Sequence, residues 1–163
     1  QGIFESEDGE KWERRNTGLN SLLVRAIAIN PIHPEIIYAG TQDGIFGSIN
    51  GGKKWESLTK PPNQPKVWTI AIDPLAANVV YLGAWLSGIS CSYNFGESWE
   101  KRNQGLLNTC VHCLVIDPNN TGVIYAGTEE GICKSIDSGL SWTICNSFGK
   151  ITTPQSEAEF VEE

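Results

Sequence analysis

A short stretch near residue 110 combines side chains that often bind metals or carry redox chemistry. Cys110, His112 and Cys113 are close neighbours in the chain. A Cys-x-x-Cys pair chelates a metal from a turn, but on an extended strand residues 110 and 113 point to opposite faces. The chain has only 2 histidines, and the other, His33, lies in a Pro-Ile-His-Pro turn. We therefore predict no metal site and no cofactor.

A second candidate motif is a serine followed by aspartate or asparagine, a glycine and a tryptophan. It occurs as SEDGEKW, SINGGKKW, SYNFGESW and SIDSGLSW. A calcium loop needs alternating carboxylates and a distal glutamate, which these segments lack. In a tight hairpin, however, Asp or Asn can accept backbone N–H groups and close the turn. We predict this structural role for the following residues: Ser6, Asp8, Trp12, Ser48, Asn50, Trp55, Ser92, Asn94, Trp99, Ser135, Asp137 and Trp142.

These motifs are the most visible part of an internal repeat. Their tryptophans are spaced by 43, 44 and 43 residues, and Gly-Ile pairs recur at spacings of 42, 44 and 43. The segments VRAIAINPIHPEIIYAG, VWTIAIDPLAANVVYLG and VHCLVIDPNNTGVIYAG also superimpose. A period of about 40–45 residues is typical of propeller blades.

Each repeat is predicted to form four short strands. Segments 24–29, 67–72 and 111–116 are nearly continuous apolar runs rich in β-branched residues, as in strands covered on both faces. An Asn-Pro or Asp-Pro pair ends each run, because proline cannot extend the ladder. A second strand follows, and the third and fourth strands flank the serine-containing hairpin. The pattern predicts an all-β fold, a β-propeller of four-stranded antiparallel blades.

The repeat also predicts the domain organisation. Residues 1–148 hold about three and a half blades, since the chain opens on a third strand, and residues 149–163 form a degenerate acidic tail. A propeller must close, because open sheet edges are a liability. The tail could complete a four-bladed ring, two chains could associate, or the chain could be part of a larger propeller. Both ends fall inside repeats, which favours the last.

The serine-containing motif resembles the Asp-box of BNR-repeat proteins, from residue 2 to about 148. With IAIDP and IYAGT, the pattern is similar to photosystem II stability and assembly factors, sortilin-type receptors and xyloglucan-cleaving glycosidases. The resemblance implies a propeller with its boxes on the rim, away from the binding face. The sequence departs from that motif in a first box that is one residue shorter, and in Asn50 and Asn94, which replace the aspartate.

Positions where the repeats disagree are better candidates for a binding site than positions where they agree. Arg25, Trp68 and His112 occupy the same place, second in the first strand, in three repeats. Trp85 lies in the loop between the second and third strands. Aromatic rings beside mixed charges suit a sugar chain or a peptide. The predicted ligand-binding residues are Arg25, Trp68, His112, Trp85, Asp43 and Glu129. Alternatively, Trp68 packs between blades and the charges are solvated loops.

Composition narrows the classes of partner. The 163 residues are 40% hydrophobic and 19% charged, which fits one globular unit. The net charge of -7, with no basic cluster, argues against nucleic acid, anionic lipid and acidic substrates. No apolar run reaches the roughly 20 residues of a membrane span.

The resemblance also raises the question of catalysis, because sialidases and xyloglucan-cleaving enzymes are Asp-box propellers. Sialidases use three arginines and carry an Arg-Ile-Pro segment, whereas here only Arg25 falls on a predicted inner strand and that segment is missing. A glycosidase needs two acids roughly 5–9.5 Å apart, yet Asp73 and Asp117 precede prolines in repeated turns. We predict a non-catalytic scaffold that binds a protein or glycan. The alternatives are an arc of a propeller glycoside hydrolase and a purely structural segment of a larger propeller.

Overall fold

The computed structural model describes residues 1–59 and 64–145, and its regular elements there are all β-strands. None of these described residues forms a helix long and apolar enough to cross a membrane. The predicted tail, 149–163, lies outside the described residues. The strands are β1 (Phe4–Glu5), β2 (Glu13–Arg14), β3 (Val24–Ile29), β4 (Ile37–Thr41), β5 (Gly44–Ser48), β6 (Glu56–Ser57), β7 (Lys66–Ile72), β8 (Val80–Trp85), β9 (Gly88–Ser92), β10 (Glu100–Lys101), β11 (Val111–Ile116), β12 (Ile124–Thr128), β13 (Gly131–Ser135) and β14 (Thr143–Ile144).

The strands form three four-stranded antiparallel sheets and one two-stranded sheet. Blade 1 is β3 to β6, blade 2 is β7 to β10 and blade 3 is β11 to β14, each in chain order. Strands β1 and β2 form the outer half of a preceding blade, called the half-blade below. Of the first strands, β7 contacts both β3 and β11, so these three strands lie side by side and form the inner side. This arc of three and a half blades confirms the predicted all-β propeller class.

Each inner strand contains one irregularity at an equivalent place. The pairing register of the inner strand against the second strand shifts by one residue near the start of every blade. The shifts lie between Val24 and Ala26, between Val67 and Thr69, and between Val111 and Cys113. One residue per inner strand is thus left out of the ladder, as in a β-bulge, which bends the strand and redirects a side chain.

The hydrophobic core lies mainly between neighbouring blades. One cluster joins the half-blade to blade 1 and contains Ile3 and Trp55. A second joins blade 1 to blade 2 and contains Tyr38 and Val67, and a third joins blade 2 to blade 3 around Trp142. Because burial of apolar surface is the main stabilising term, each blade is held chiefly by its neighbours.

Tyrosines of the second strands add a polar tie across these junctions. The Tyr38 hydroxyl donates a hydrogen bond to the Phe95 carbonyl (3.1 Å) and the Tyr81 hydroxyl to the Ser138 carbonyl (3.1 Å), each in the next blade. Burial raises the pKa of Tyr38 to about 12. Tyr125, the equivalent residue of blade 3, is 37% exposed. The same residue type is therefore buried only where a following blade covers it.

Candidate ligand-binding site

The residue left unpaired by each inner-strand bulge is one of the predicted ligand-binding residues. It is Arg25 in β3, Trp68 in β7 and His112 in β11. The bulge lies at the end of the inner strand that adjoins the turn between the second and third strands. Since a bulge changes the direction in which a side chain points, the repeat delivers three different side chains to one end of the inner strands. This end is called the mouth below.

The three bulge side chains meet at Trp68. The guanidinium carbon of Arg25 lies 5.0 Å from the centre of the Trp68 ring, and the centre of the His112 ring lies 4.8 Å from it. Trp85 stacks on Trp68 with ring centres 5.0 Å apart and planes inclined by 24°. The ring of Trp85 is also 6.4 Å from that of His112. These four residues, Arg25, Trp68, Trp85 and His112, are called the mouth cluster.

The mouth cluster is partly open to solvent. Arg25 and His112 are exposed, whereas Trp68 and Trp85 are half-buried. The Trp68 Nε1 atom is buried and has no hydrogen-bond acceptor among the residues that the structure describes. Aromatic pairs and cation–π contacts contribute roughly 0.5–1.5 kcal/mol each beyond burial, so the four side chains hold one another in place.

Trp85 is presented by a turn that is one residue longer than its counterparts. Ala84 pairs with Gly88 across this turn, whereas Thr41 pairs with Gly44 in blade 1. The extra length allows Trp85 to continue β8 and to pair with Lys66 at the start of β7. This pairing brings Trp85 beside the inner strand, where it reaches Trp68.

The turn after Trp85 is strained and anchored. Leu86 has φ of 56°, in the left-handed region that non-glycine residues seldom adopt. The Lys101 ammonium donates to the Ser87 carbonyl (2.7 Å), and Asn103 Nδ2 donates to the same oxygen (3.3 Å). Burial lowers the pKa of Lys101. These bonds fix the turn to the rest of blade 2 and so fix the position of Trp85.

Asp43 and Glu129 occupy the equivalent turns of blades 1 and 3. Both are exposed, and the Asp43 N–H donates to Thr41 Oγ1 (3.1 Å) within its own turn. Neither carboxylate lies within ion-pair distance of Arg25 among the described residues. The structure therefore gathers four of the six predicted ligand-binding residues into one cluster and leaves these two on flanking turns.

The Asp-boxes lie at the opposite end of the blades from the mouth, because antiparallel strands reverse direction at each turn. In the box of blade 3, Ser135 Oγ donates to Asp137 Oδ1 (2.7 Å) and accepts from the Gly139 N–H (2.8 Å). The Ser141 backbone N–H donates to Asp137 Oδ1 (2.9 Å), and hydrogen bonds from the Ser141 side chain and backbone lower the pKa of Asp137 to about 2.

The boxes with asparagine make the same bonds. The amide oxygen of Asn50 accepts from the Lys54 N–H (2.9 Å), and that of Asn94 accepts from the Ser98 N–H (3.0 Å). In the shorter first box, the glycine N–H that donates to Ser6 Oγ (2.8 Å) comes from Gly9, one residue nearer than elsewhere. The turn thus needs an acceptor oxygen at this position and does not need a charge.

The box tryptophans differ in what surrounds them. Trp55 is 2% exposed and its Nε1 donates to the Arg15 carbonyl (2.7 Å) of the preceding blade. Trp142 is buried in the same way and donates to Arg102 (2.8 Å). Trp12 is 62% exposed and donates to Gly9 of its own box (3.2 Å). The half-buried Trp99 has no Nε1 acceptor among the described residues.

Sequence reasoning missed a second repeated scaffold device after the fourth strand. Asn16 Oδ1 accepts from the Ile3 N–H (2.7 Å), and Asn103 Oδ1 accepts from the Ile89 N–H (2.8 Å). Gly18 has φ of +95°, and a Cβ there would clash with the Trp55 carbonyl oxygen. The sequence signal for this device is the pair of matching segments NTGL and NQGL.

Among the described residues, no group of three or more His, Cys, Asp or Glu side chains could hold a metal.

No protein-family model and no curated protein sequence matches the chain. Solved structures do match it. An ancestral GH74 enzyme superposes with a TM-score of 0.74 at 25% identity, covering 88% of this chain and 21% of its own. The GH74 xyloglucanase from Xanthomonas campestris matches with a TM-score of 0.71 at 20% identity, covering 91% of this chain and 28% of its own. YCF48 bound to D1 peptide matches with a TM-score of 0.59 at 16% identity, covering 74% and 39%.

These neighbours establish the propeller fold and include both enzymes and a peptide-bound protein. The chain spans between 21% and 39% of the length of these three neighbours. The fold is therefore compatible with either catalysis or binding, and the choice between them depends on the residues of the site.

Proposed function

We propose that this chain is a non-catalytic scaffold that binds a protein or glycan ligand at the mouth of the propeller. The supporting observation is the mouth cluster. One backbone bulge, present in every complete blade, carries Arg25, Trp68 and His112, and the longer turn of blade 2 adds Trp85. A rigid frame with different side chains at equivalent positions is what recognition of an asymmetric ligand requires.

The physical character of the mouth cluster supports binding. Tryptophan and arginine are the residues that most often dominate binding energy at interfaces. Here the guanidinium carbon of Arg25 and the ring centre of Trp85 each lie 5.0 Å from the centre of the Trp68 ring. These side chains therefore contact one another before any ligand binds. Side chains that are already ordered lose little conformational entropy on binding, so more of the contact energy is available as affinity.

The acidic residues of the repeated turns argue for binding rather than hydrolysis. Asp73 is buried, and its Oδ1 accepts from the Leu75 N–H (2.8 Å) and the Ala76 N–H (3.1 Å). Asp117 accepts in the same manner from Asn119 (2.9 Å). The carboxylates of Asp73 and Asp117 therefore serve to close turns. Asp43 and Glu129 lie on turns of blades 1 and 3, with blade 2 between them.

The second candidate is an arc of a propeller glycoside hydrolase, which is compatible with the likeness to GH74 structures. It predicts that Asp43 or Glu129 takes part in cleavage of a polysaccharide. The check is the release of reducing ends from xyloglucan by the protein that contains this chain. Release that is lost in Asp43→Asn or Glu129→Gln would favour this candidate over the scaffold.

The scaffold proposal is tested by measuring affinity after truncating the mouth cluster. The chain is screened against arrays of peptides and of oligosaccharides, and the strongest binder is titrated by calorimetry. Trp68→Ala and Trp85→Ala should each weaken binding by about tenfold or more, as expected of an interface hot spot. Trp12→Ala, on the half-blade, is the control, with a thermal melt for each variant. Unchanged affinity in both mouth variants would refute the proposal.

A further inference from the structure

Arg25 differs from the ion-paired arginines of the arc. Arg15 pairs with Glu5 (2.6 Å), and Arg102 pairs with Glu100 (2.8 Å). Among the described residues, Arg25 forms neither an ion pair nor a side-chain hydrogen bond, and its side chain is exposed. Its contact is with the Trp68 ring. In a chain of net charge -7, this guanidinium at the mouth has no carboxylate partner among residues 1–59 and 64–145.

Stacking on Trp68 prepares Arg25 to bind an anion. A guanidinium over an aromatic ring keeps its N–H groups at its edge, and their fork geometry matches the two oxygens of a carboxylate. The stack at 5.0 Å also restricts the rotamers of a long side chain. Because that ordering takes place before the ligand binds, it does not reduce the affinity.

The surroundings of Trp68 favour an anionic ligand over a neutral sugar. A sugar stacks on an open aromatic face, whereas Trp68 is contacted by Arg25 from blade 1, by His112 from blade 3 and by Trp85 within blade 2. The indole therefore supports its neighbours instead of offering a platform. Lys66, at the start of β7, is exposed and forms no ion pair among the described residues, so it adds positive charge near the same end of blade 2.

The flanking turns restrict the ligand further. Asp43 and Glu129 are exposed on the mouth-side turns of blades 1 and 3. Like charges disfavour a ligand that is acidic along its whole length. A peptide with a single isolated carboxylate fits this arrangement, because the carboxylate can pair with Arg25 while the rest of the peptide brings no negative charge near Asp43 and Glu129.

We propose that the mouth cluster binds a carboxylate of a peptide ligand, with Arg25 holding the carboxylate and Trp68 positioning Arg25. This inference rests on the proposed function and narrows it to one class of ligand. The carboxylate belongs either to the carboxy-terminus of the peptide or to an aspartate or glutamate side chain. Both present the same planar pair of oxygens.

The test compares acids with their amides. A library of short peptides, attached through their amino-termini, is screened against the chain. The strongest binder is then made with an amidated carboxy-terminus and, separately, with each acidic side chain replaced by its amide. One of these changes should weaken binding by about tenfold to a hundredfold, the range for a charge-assisted hydrogen bond. Which change does so identifies the source of the carboxylate.

Variants of the chain link this loss to Arg25. Arg25→Gln should lower affinity for the acid by the same factor and should not distinguish the acid from the amide. Trp68→Leu should reduce the acid-to-amide ratio of affinities, which a purely structural loss would leave unchanged. The matched control is Arg14→Gln, since Arg14 also lies over an aromatic ring, at 5.7 Å from Phe4, but on the half-blade. Melting temperatures confirm that each variant is folded.

The outcomes separate the two proposals. If acid and amide bind equally while Trp85→Ala abolishes binding, the carboxylate inference is wrong and the scaffold proposal stands. If acid and amide bind equally and neither Trp68→Ala nor Trp85→Ala changes the affinity, the carboxylate inference and the scaffold proposal are both wrong. The inference is also overturned if the unmodified chain binds no peptide of the library more tightly than the Arg25→Gln variant does. Tighter binding of neutral oligosaccharides than of any peptide would do the same.

Discussion

The rim and the mouth of the blades use the repeat in opposite ways. At the rim the same residue types make the same bonds, so that the N–H groups of Gly52 and Gly139 donate to the box serines at 2.9 and 2.8 Å. At the mouth the same backbone bulge carries Arg25, Trp68 and His112. Repeated side chains build the frame, and a repeated backbone with different side chains builds the surface that the frame presents.

The rim itself contains an informative contrast. Trp55 and Trp12 belong to equivalent boxes, yet Trp55 is 2% exposed and Trp12 is 62% exposed. Trp55 packs against Ile3 of the half-blade and donates to Arg15, whereas Trp12 bonds within its own hairpin. The motif closes a turn by itself, but only a neighbouring blade makes its tryptophan part of a core.

The largest expected effect comes from truncating a tryptophan that the preceding blade covers. Trp55→Ala should lower the free energy of unfolding by about 3–5 kcal/mol, because it leaves a large cavity and an unpaired Arg15 carbonyl. Trp12→Ala is the control and should change it by less than about 0.5 kcal/mol. Urea unfolding of both variants is the measurement. Equal losses would show that the box tryptophan stabilises its own hairpin and not the junction between blades.

A smaller effect is expected at the mouth, where Leu86 is strained. Leu86→Asn should raise stability by about 0.5–1 kcal/mol, since asparagine tolerates a positive φ and Leu86 is 69% exposed. Leu75→Asn is a matched control, because Leu75 is 70% exposed and is not among the residues with positive φ. Thermal melts compare the two. A loss of stability in Leu86→Asn would mean that contacts of the leucine outweigh the strain.

The smallest effect distinguishes the aspartate boxes from the asparagine boxes. The pKa of Asp137 is lowered to about 2 in the folded chain by its hydrogen bonds, below the unfolded value of about 3.9. Its contribution to stability is therefore present above pH of about 4 and is lost as the pH falls towards 2. Asp137→Asn should lack this loss, since Asn50 closes its box without a charge.

The measurement is the melting temperature of both proteins at neutral pH and near pH 2.5. Wild type should lose slightly more on acidification than Asp137→Asn, and the difference should be small because Asp137 is partly exposed and its charge is screened by solvent. Asn94→Asp is the reverse variant and should acquire the acid sensitivity. An identical acid response in all three would show that the carboxylate charge contributes nothing to closing the box.

Much of the frame could be predicted because its signals are local. The inner strands expected at 24–29, 67–72 and 111–116 agree with Val24–Ile29, Lys66–Ile72 and Val111–Ile116 in the structure. Apolar runs, proline stops and a repeat of one length act over a few residues, so a single sequence displays them. The exposure of Trp12 could not be predicted in this way, because it depends on which blade lies beside the box.

Aligning the repeats also placed Arg25, Trp68 and His112 at one equivalent position, and this much follows from the sequence alone. Whether they touch was decided by the bulge, by the angle between blades and by the longer turn that brings Trp85 within 5.0 Å of Trp68. Those distances depend on how whole blades pack against one another. A repeat can therefore predict which positions are equivalent, and only the packed arc determines which of their side chains meet.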